Sequence, residues 1–230
     1  MGIKERQERD REAVRRAILD AARELFVTEG YLNITIRKIA ERIEYSPAAI
    51  YGYFHSKADI FFALAEEGFR LLGDPAGDER RHQLAALEPL ARIRSIFWRF
   101  YEFSRQHPQY FALMFVDQSV PRISKEYDRF AFARETKQHL IDEIERCIAA
   151  NVFPPTLKPT VAMRVLTVGL LGVAVLSLSE RLTPGEDPDH LASDVLDTTL
   201  AGLQSGVVLQ SRGISLDCAG DDPIADAHAS

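Results

Sequence analysis

Cysteine is nearly missing from this 230-residue chain. The two present, Cys147 and Cys218, stand far apart and form no CxxC pair, which excludes a disulfide framework and points to a reducing compartment. A secretory leader is lacking as well, because the opening Met-Gly-Ile-Lys-Glu-Arg-Gln-Glu is charged where a signal peptide needs an apolar run. The longest uncharged apolar stretch, Val165 to Ser179, has 15 residues, whereas a bilayer crossing takes roughly 20. A cytoplasmic protein with no membrane partner is expected. No alternating apolar and polar pattern of useful length occurs, so a β-sheet is not expected either.

The signatures of catalysis are equally sparse. The six histidines (His55, His82, His107, His139, His190 and His228) are scattered, with no HxxxH and no cysteine at zinc spacing. Gly202-Leu203-Gln204-Ser205-Gly206 places its serine one position late for a nucleophile elbow. Glycine loops of the Walker or dinucleotide-binding type are absent. Glu143 and Glu145 are two residues apart and do not share a helix face. No enzyme activity, metal or cofactor is expected.

What the chain has in abundance is helical periodicity, and the expected fold class is all-α. Val14, Ile18, Ala21, Ala22, Leu25 and Phe26 mark one face of a first helix, about Glu5 to Thr28, ended by Gly30. Ile36, Ile39, Ala40 and Ile43 mark a second, opened by Thr35. Ser46-Pro47 starts a third helix to Tyr53, and Ser56 with Asp59 starts a fourth to about Leu72. After a loop at Gly73 to Asp78, further helices are expected at Pro89–Gln106, about Glu126–Ala150, Thr160–Arg181 and Pro188–Ser211, with a short piece at Tyr110–Val116. This divides the chain into an N-terminal domain at 1–56, a larger helical domain at 57–211 and a loose tail at 212–230.

Charge follows the same division. The chain carries −6 overall, but residues 1–57 are +2 and residues 58–230 are −8. Attraction to phosphate is a property of one face, so overall acidity does not exclude a nucleic-acid partner. The run Lys4 to Arg16 mixes both signs and reads as a solvated helix face.

The second and third helices, joined by the turn Glu44-Tyr45-Ser46, have the proportions of a helix-turn-helix. Ile50 and Phe54 face inward. The outer face of the third helix offers Ala48, Tyr51 and Gly52, with Tyr53 at its flank, in place of the long charged side chains of an ordinary wet surface. Tyrosines there can stack on sugars and donate to phosphates, and an alanine can lie against a thymine methyl. Thr35, Arg37 and Lys38 open the preceding helix, whose N-terminus suits a phosphate oxygen.

The run Ile34-Thr35-Ile36-Arg37-Lys38-Ile39-Ala40-Glu41-Arg42, with Ser46-Pro47-Ala48-Ala49-Ile50-Tyr51-Gly52-Tyr53-Phe54-His55-Ser56-Lys57, resembles the DNA-binding domain of TetR-type repressors. The likeness covers about residues 10–65. It implies a homodimer with one recognition helix per major groove on a double-stranded operator, and a C-terminal domain whose ligand changes the spacing of the two readers. By position, Thr35, Tyr51, Tyr53 and Lys57 would contact phosphate, and Pro47 and Ala48 would lie nearest the bases. With Arg37, Lys38, Tyr45, Ser46 and Gly52 they form the candidate DNA-binding set. Two departures stand out. The family's turn has Ala-Gly-Val where this chain has Ile43-Glu44-Tyr45, so a positive φ at Glu44 would cost on the order of 1 kcal/mol relative to glycine. Gly52 also replaces a larger residue and removes one base reader.

Two features of the C-terminal part complete the expectations. Gly169 and Gly172 in one apolar helix, with Leu191, Val195, Leu203 and Val207 in the next, suggest a four-helix dimer interface, though both helices could instead close the monomer core. Of 21 aromatic residues, 11 lie within 97–132, which suggests an apolar cavity for a hydrophobic effector, fatty-acyl or polycyclic aromatic. Trp98, Tyr101, Tyr110, Met114 and Phe115 are the expected lining, with Arg105, Arg122 or His139 as polar anchors. A dimeric DNA-binding protein without small-molecule input remains the alternative.

Overall fold

The computed structural model describes residues 2–73, 82–121 and 131–211, and among these helix is the only regular structure. Helix α1 (Ile3–Glu29) stops at Gly30, whose φ of +78° suits a residue with no Cβ. Helix α2 (Ile36–Arg42) begins where the Thr35 hydroxyl accepts from the Lys38 N–H at 3.2 Å. Helix α3 (Pro47–Tyr51) begins where the Ser46 hydroxyl accepts from the Ala49 N–H, also at 3.2 Å. At the head of α4 (Lys57–Gly73), Ser56 Oγ accepts from the Asp59 N–H and donates to the Asp59 carboxylate. Side-chain capping of this kind satisfies backbone donors that a helix cannot pair itself.

Ile18, Ala22, Phe26, Ile39, Ile50 and Phe61 close the core of α1 to α4. Beyond it come α5 (Pro89–Gln106) and α6 (Pro108–Phe111), the latter running into a π turn at Ala112–Val116. Then follow α7 (Ala131–Ala149), α8 (Pro159–Leu178) and α9 (Pro188–Gln204). Helix α8 packs on α9, α5 and α7, while α4 reaches from the N-terminal core to α5, α6 and α7. Cys147, on α7, is a buried thiol pushed up to about 11 by burial and then by nearby Glu143.

Three expectations change. Helix α9 ends at Gln204 instead of continuing to Ser211, because Gly206 turns to φ +79° and the Val207 N–H returns to the Gly202 carbonyl. Helix α3 likewise ends at Tyr51, two residues short of Tyr53. Helix α8 is 20 residues long with a mean hydropathy of 2.2, enough by length and composition to cross a membrane. Counting only its uncharged stretch hid this, since Arg164 interrupts the run. In this fold Val161, Leu166, Leu170 and Val173 are among its residues buried against neighbouring helices. Arg122, the start expected near Glu126, and the 212–230 tail with Cys218 lie outside the described residues.

The turn between α2 and α3 carries the strain anticipated for it. Glu44 has φ +59°, and its neighbour Tyr45 closes the turn by donating to the Ala40 carbonyl at 2.9 Å. Glu44→Gly is expected to raise unfolding stability by about 1 kcal/mol, measured as a higher urea midpoint at unchanged slope. An unchanged or lower midpoint would show that the turn tolerates the side chain without cost.

Candidate nucleic-acid interface and effector cavity

The two capped helices set the geometry of the helix-turn-helix. Helix α3 is only five residues long, and its Ser46 cap with Pro47 at the first position fixes where it starts. Buried Ile50 anchors it, which turns Pro47, Ala48, Tyr51 and Gly52 to solvent. Tyr51 is 51% exposed and Tyr45 is 45% exposed, large values for aromatic residues. Tyr53 is half-buried at the edge. The outward face thus presents ring edges and hydroxyls without a carboxylate.

Cations surround this face, each held differently. Arg37 donates to Glu41 at 2.8 Å and Lys38 to Glu29 at 2.6 Å, both at exposed positions. Exposed pairs of this kind are weak in water and screened by salt, so either cation can turn to a phosphate at little cost. Lys57 is more firmly held. Its ammonium donates to the carbonyls of Tyr31 at 2.8 Å and Ile34 at 2.9 Å, and lies 4.1 Å from the centre of the Tyr31 ring. Burial lowers its pKa. With two of three N–H groups used, Lys57 first braces α4 against the chain entering α2 and has at most one donor left for a phosphate.

Sequence reasoning placed Arg11 and Arg15 in a solvated helix face with the rest of Lys4 to Arg16. They lie 6.0 Å from the Tyr53 ring and 5.4 Å from the Phe54 ring, so α1 brings two more cations to the flank of α3. The signal was present: Arg11, Arg15, Ile18 and Ala22 recur at helical spacing, and the last two are core.

The larger domain contains a cavity of about 310 Å³, at the lower end of the roughly 300–1,000 Å³ usual for ligand sites. It lies among α4 (Phe69, Leu72, Gly73), α5 (Ser95, Ile96, Phe97, Arg99, Phe100), the π turn (Phe115), α7 (Ala133, Thr136, Lys137, His139, Leu140) and α8 (Met163, Arg164, Thr167), with Leu84 beside them. Phe115 reaches it through edge contacts with Phe69 and Phe100 at 6.2 and 5.4 Å between ring centres.

Of the expected lining, Phe115 and His139 border this cavity, and the other described members do not. Trp98, Tyr101 and Arg105 recur at i, i+3 and i+7, a stripe of α5 on the far side of the helix from cavity-lining Ile96. That stripe meets α9. The Tyr101 hydroxyl donates to Asp189 at 2.7 Å, Arg105 pairs with the same carboxylate, and Arg94 pairs with Asp197 at 2.6 Å. The Tyr101 hydroxyl is pushed up by burial and by Asp189, and the Asp189 carboxyl is pulled down by its bonds to Tyr101 and Arg105. Tyr110 and Met114 turn instead toward the N-terminal core. Tyr110 accepts from Arg23 of α1 at 2.7 Å, and Met114 covers Gly68 of α4 so closely that a Cβ there would stand 2.2 Å from its sulfur.

The expected dimer residues divide as well. Gly169 lets α8 approach α9 within one protomer, since a Cβ there would come within 2.8 Å of Val195. Leu203 is 3% exposed and belongs to the protomer core, and Val207 lies beyond the end of α9. Leu191 and Val195 are half-buried, while a Cβ on Gly172 would meet open space. The uncovered apolar positions on α8 are Val168, 54% exposed, with Leu176 and Leu178.

The family described as bacterial regulatory proteins of the tetR family matches residues 18–64, and the tetracyclin repressor-like C-terminal domain matches residues 93–199. The chain is 46% identical over 55 residues to the HTH-type transcriptional repressor Rv1474c of Mycobacterium tuberculosis, 24% of this chain and 29% of that protein. It is 40% identical over 53 residues to the HTH-type transcriptional repressor AcnR of Corynebacterium diphtheriae, 23% of this chain and 28% of that one. The chain thus spans under a third of the length of these curated relatives. Among solved structures, the fatty acid degradation regulator FadR of Bacillus halodurans superposes with a TM-score of 0.67 at 17% identity, covering 82% of this chain and 95% of that one. FadR of Bacillus subtilis, solved in complex with stearoyl-CoA, gives 0.65 at 17% identity, with coverage of 81% and 97%. At such identity these likenesses establish the fold.

Proposed function

The chain belongs to the TetR family of bacterial regulatory proteins, and from that premise we propose that it is a homodimeric transcriptional repressor whose operator affinity responds to a hydrophobic small molecule. The observation that carries the DNA-binding part is the exposed face of α3. Ala48, Tyr51 and Gly52 point outward from a rigidly capped helix, with Thr35, Arg37, Lys38, Tyr45 and Tyr53 around them. Two such heads on a dyad would meet successive major grooves, with half-sites about 34 Å or a multiple apart. The uncovered apolar side of α8 around Val168, Gly172 and Leu176 supports a second protomer as its cover.

The effector part rests on the α4–α5–α7–α8 cavity. Helix α4 lines it with Phe69 and Leu72 and begins beside α3 at Lys57, so a ligand that favours one placement of α4 also favours one spacing of the heads. A preference of about 3 kcal/mol would change operator affinity roughly a hundredfold. The fold shared with a stearoyl-CoA complex supports a fatty-acyl chain as occupant over a sugar, whose hydroxyls would need many buried partners.

Gel shifts on genomic fragments flanking its own gene test this reading, with and without long-chain acyl compounds. The expected result is a salt-dependent complex of two protomers per site, weakened or tightened by an acyl compound that also raises the melting temperature. If no fragment is retained at low salt, the DNA-binding reading fails. Compounds that leave DNA affinity untouched would favour a regulator without small-molecule input.

A further inference from the structure

We propose that α3 recognises each half of the operator through the 5-methyl group of thymine, packed against Pro47 and Ala48, and makes no guanine-specific contact. This rests on the DNA-binding reading of α3 and names the base feature recognised there.

The side chains on and beside the exposed face of α3 are of two kinds. Tyr45 in the turn, Ser46 at the cap and Tyr51 are exposed and end in hydroxyls. A hydroxyl both donates and accepts, so it suits almost any base edge or phosphate oxygen and discriminates little. Pro47 and Ala48 are exposed and apolar, and exposed Gly52 has no side chain at all. Residues 46–53 include no arginine, lysine, asparagine, glutamine, aspartate or glutamate. The side chains that hold guanine or adenine at two points, or accept from cytosine, are therefore missing from this helix.

Long cationic side chains do stand nearby, but on other elements. Arg37 and Lys38 belong to α2, and Arg11 and Arg15 of α1 lie over the rings of Tyr53 and Phe54. In a helix-turn-helix the second helix enters the major groove while the first crosses the backbone, which gives these flanking cations to phosphates. Such contacts fix register and orientation and carry no sequence information.

One base feature remains for the face to distinguish. In the major groove thymine alone carries an apolar group, its 5-methyl. Pro47 and Ala48 can bury that methyl. Over adenine, guanine or cytosine the same surface would cover polar edges without pairing them, which costs free energy. The small size of Ala48 and Gly52 lets the α3 backbone come close enough for the contact.

The test uses the full-length protein, an operator duplex selected from random sequence and three modified bases. Deoxyuridine keeps every hydrogen-bonding group of thymine and lacks only the methyl. Placed singly for thymine, it is expected to weaken binding about fourfold at one or two positions per half-site, the worth of one buried methyl. At those positions 5-methylcytosine paired with guanine should bind about threefold or more tighter than cytosine. Replacing guanines by 7-deazaguanine, which lacks the N7 acceptor, should change affinity by about twofold at most. Ala48→Gly should bring the ratio of thymine to deoxyuridine affinity toward one. Because that ratio is taken within one variant, a general loss of helix or of binding does not imitate the effect.

Equal binding of thymine and deoxyuridine at every position overturns the methyl contact and leaves the DNA-binding reading standing, as does 5-methylcytosine no better than cytosine. A ratio unchanged in Ala48→Gly overturns the assignment to Ala48. A large loss with 7-deazaguanine overturns the exclusion of guanine contacts. If no duplex is retained at low salt, the DNA-binding reading itself fails and the methyl contact with it.

Discussion

Ala48→Glu is expected to lower operator affinity about a hundredfold or more while leaving fold and oligomeric state unchanged. Ala48 is exposed on α3 and takes no part in the Ser46 cap or in the packing of Ile50, so the substitution disturbs no structural contact. Glutamate is also a good helix former. Its carboxylate would face a duplex with one negative charge per roughly 1.7 Å of axis, and placing like charges in contact across an interface costs several kcal/mol. Gel shifts measure the loss, and circular dichroism with sedimentation checks the rest. Retention of operator within about threefold of the wild type would mean that α3 does not face DNA.

Val168→Glu is expected to convert the proposed dimer to monomers and, through that, to cost most of the affinity for a two-half operator. Val168 is 54% exposed midway along α8, where the protomer itself provides no cover. A carboxylate buried there between protomers would be desolvated without a partner. Once separated, the two heads no longer share an effective concentration at the paired half-sites, which is worth roughly 10²–10⁴ in avidity. Leu203→Glu makes the contrasting control: with Leu203 in the protomer core, it should lower the melting temperature before it changes association. A Val168→Glu protein that sediments as a dimer would place the interface elsewhere.

The helix-turn-helix was legible because its determinants are local. Thr35 and Ser46 cap within three residues of their own positions, and the φ of Glu44 follows from a glycine missing at a turn. An apolar cavity was legible in outline, with Phe115 and His139, but most of its lining was not, and the reason is long-range pairing. Trp98, Tyr101 and Arg105 are aromatic and polar in the proportions of a binding site, but Asp189, more than eighty residues later, claims Tyr101 and Arg105 and draws their stripe of α5 against α9. Several rings of the aromatic cluster are core away from the cavity: Phe103, Tyr110 and Phe111 are buried and do not line it. The residues that do line the cavity, such as Ser95, Thr136 and Arg164, carry no local signal and are brought together only by the crossing of four helices. Lys57 shows a subtler limit. The resemblance assigns its position to a phosphate contact, yet its ammonium already donates to the carbonyls of Tyr31 and Ile34 and serves the turn first.

The attachment of α1 to the larger domain bears on the engineering of biosensors from this scaffold. Arg23 reaches Tyr110 and Arg16 pairs with Glu67, so the N-terminal unit is joined by specific side chains as well as by a single covalent crossing. A chimera cut at Ser56 and grafted onto another sensing domain would strand Arg16 and Arg23 against a surface not built for them. On the proposed effector reading, such a hybrid is expected to lose the coupling between ligand and operator while still binding each. A transplant that keeps residues through Phe69, and installs counterparts of Tyr110 and Met114 in the recipient, would carry its transmission with it.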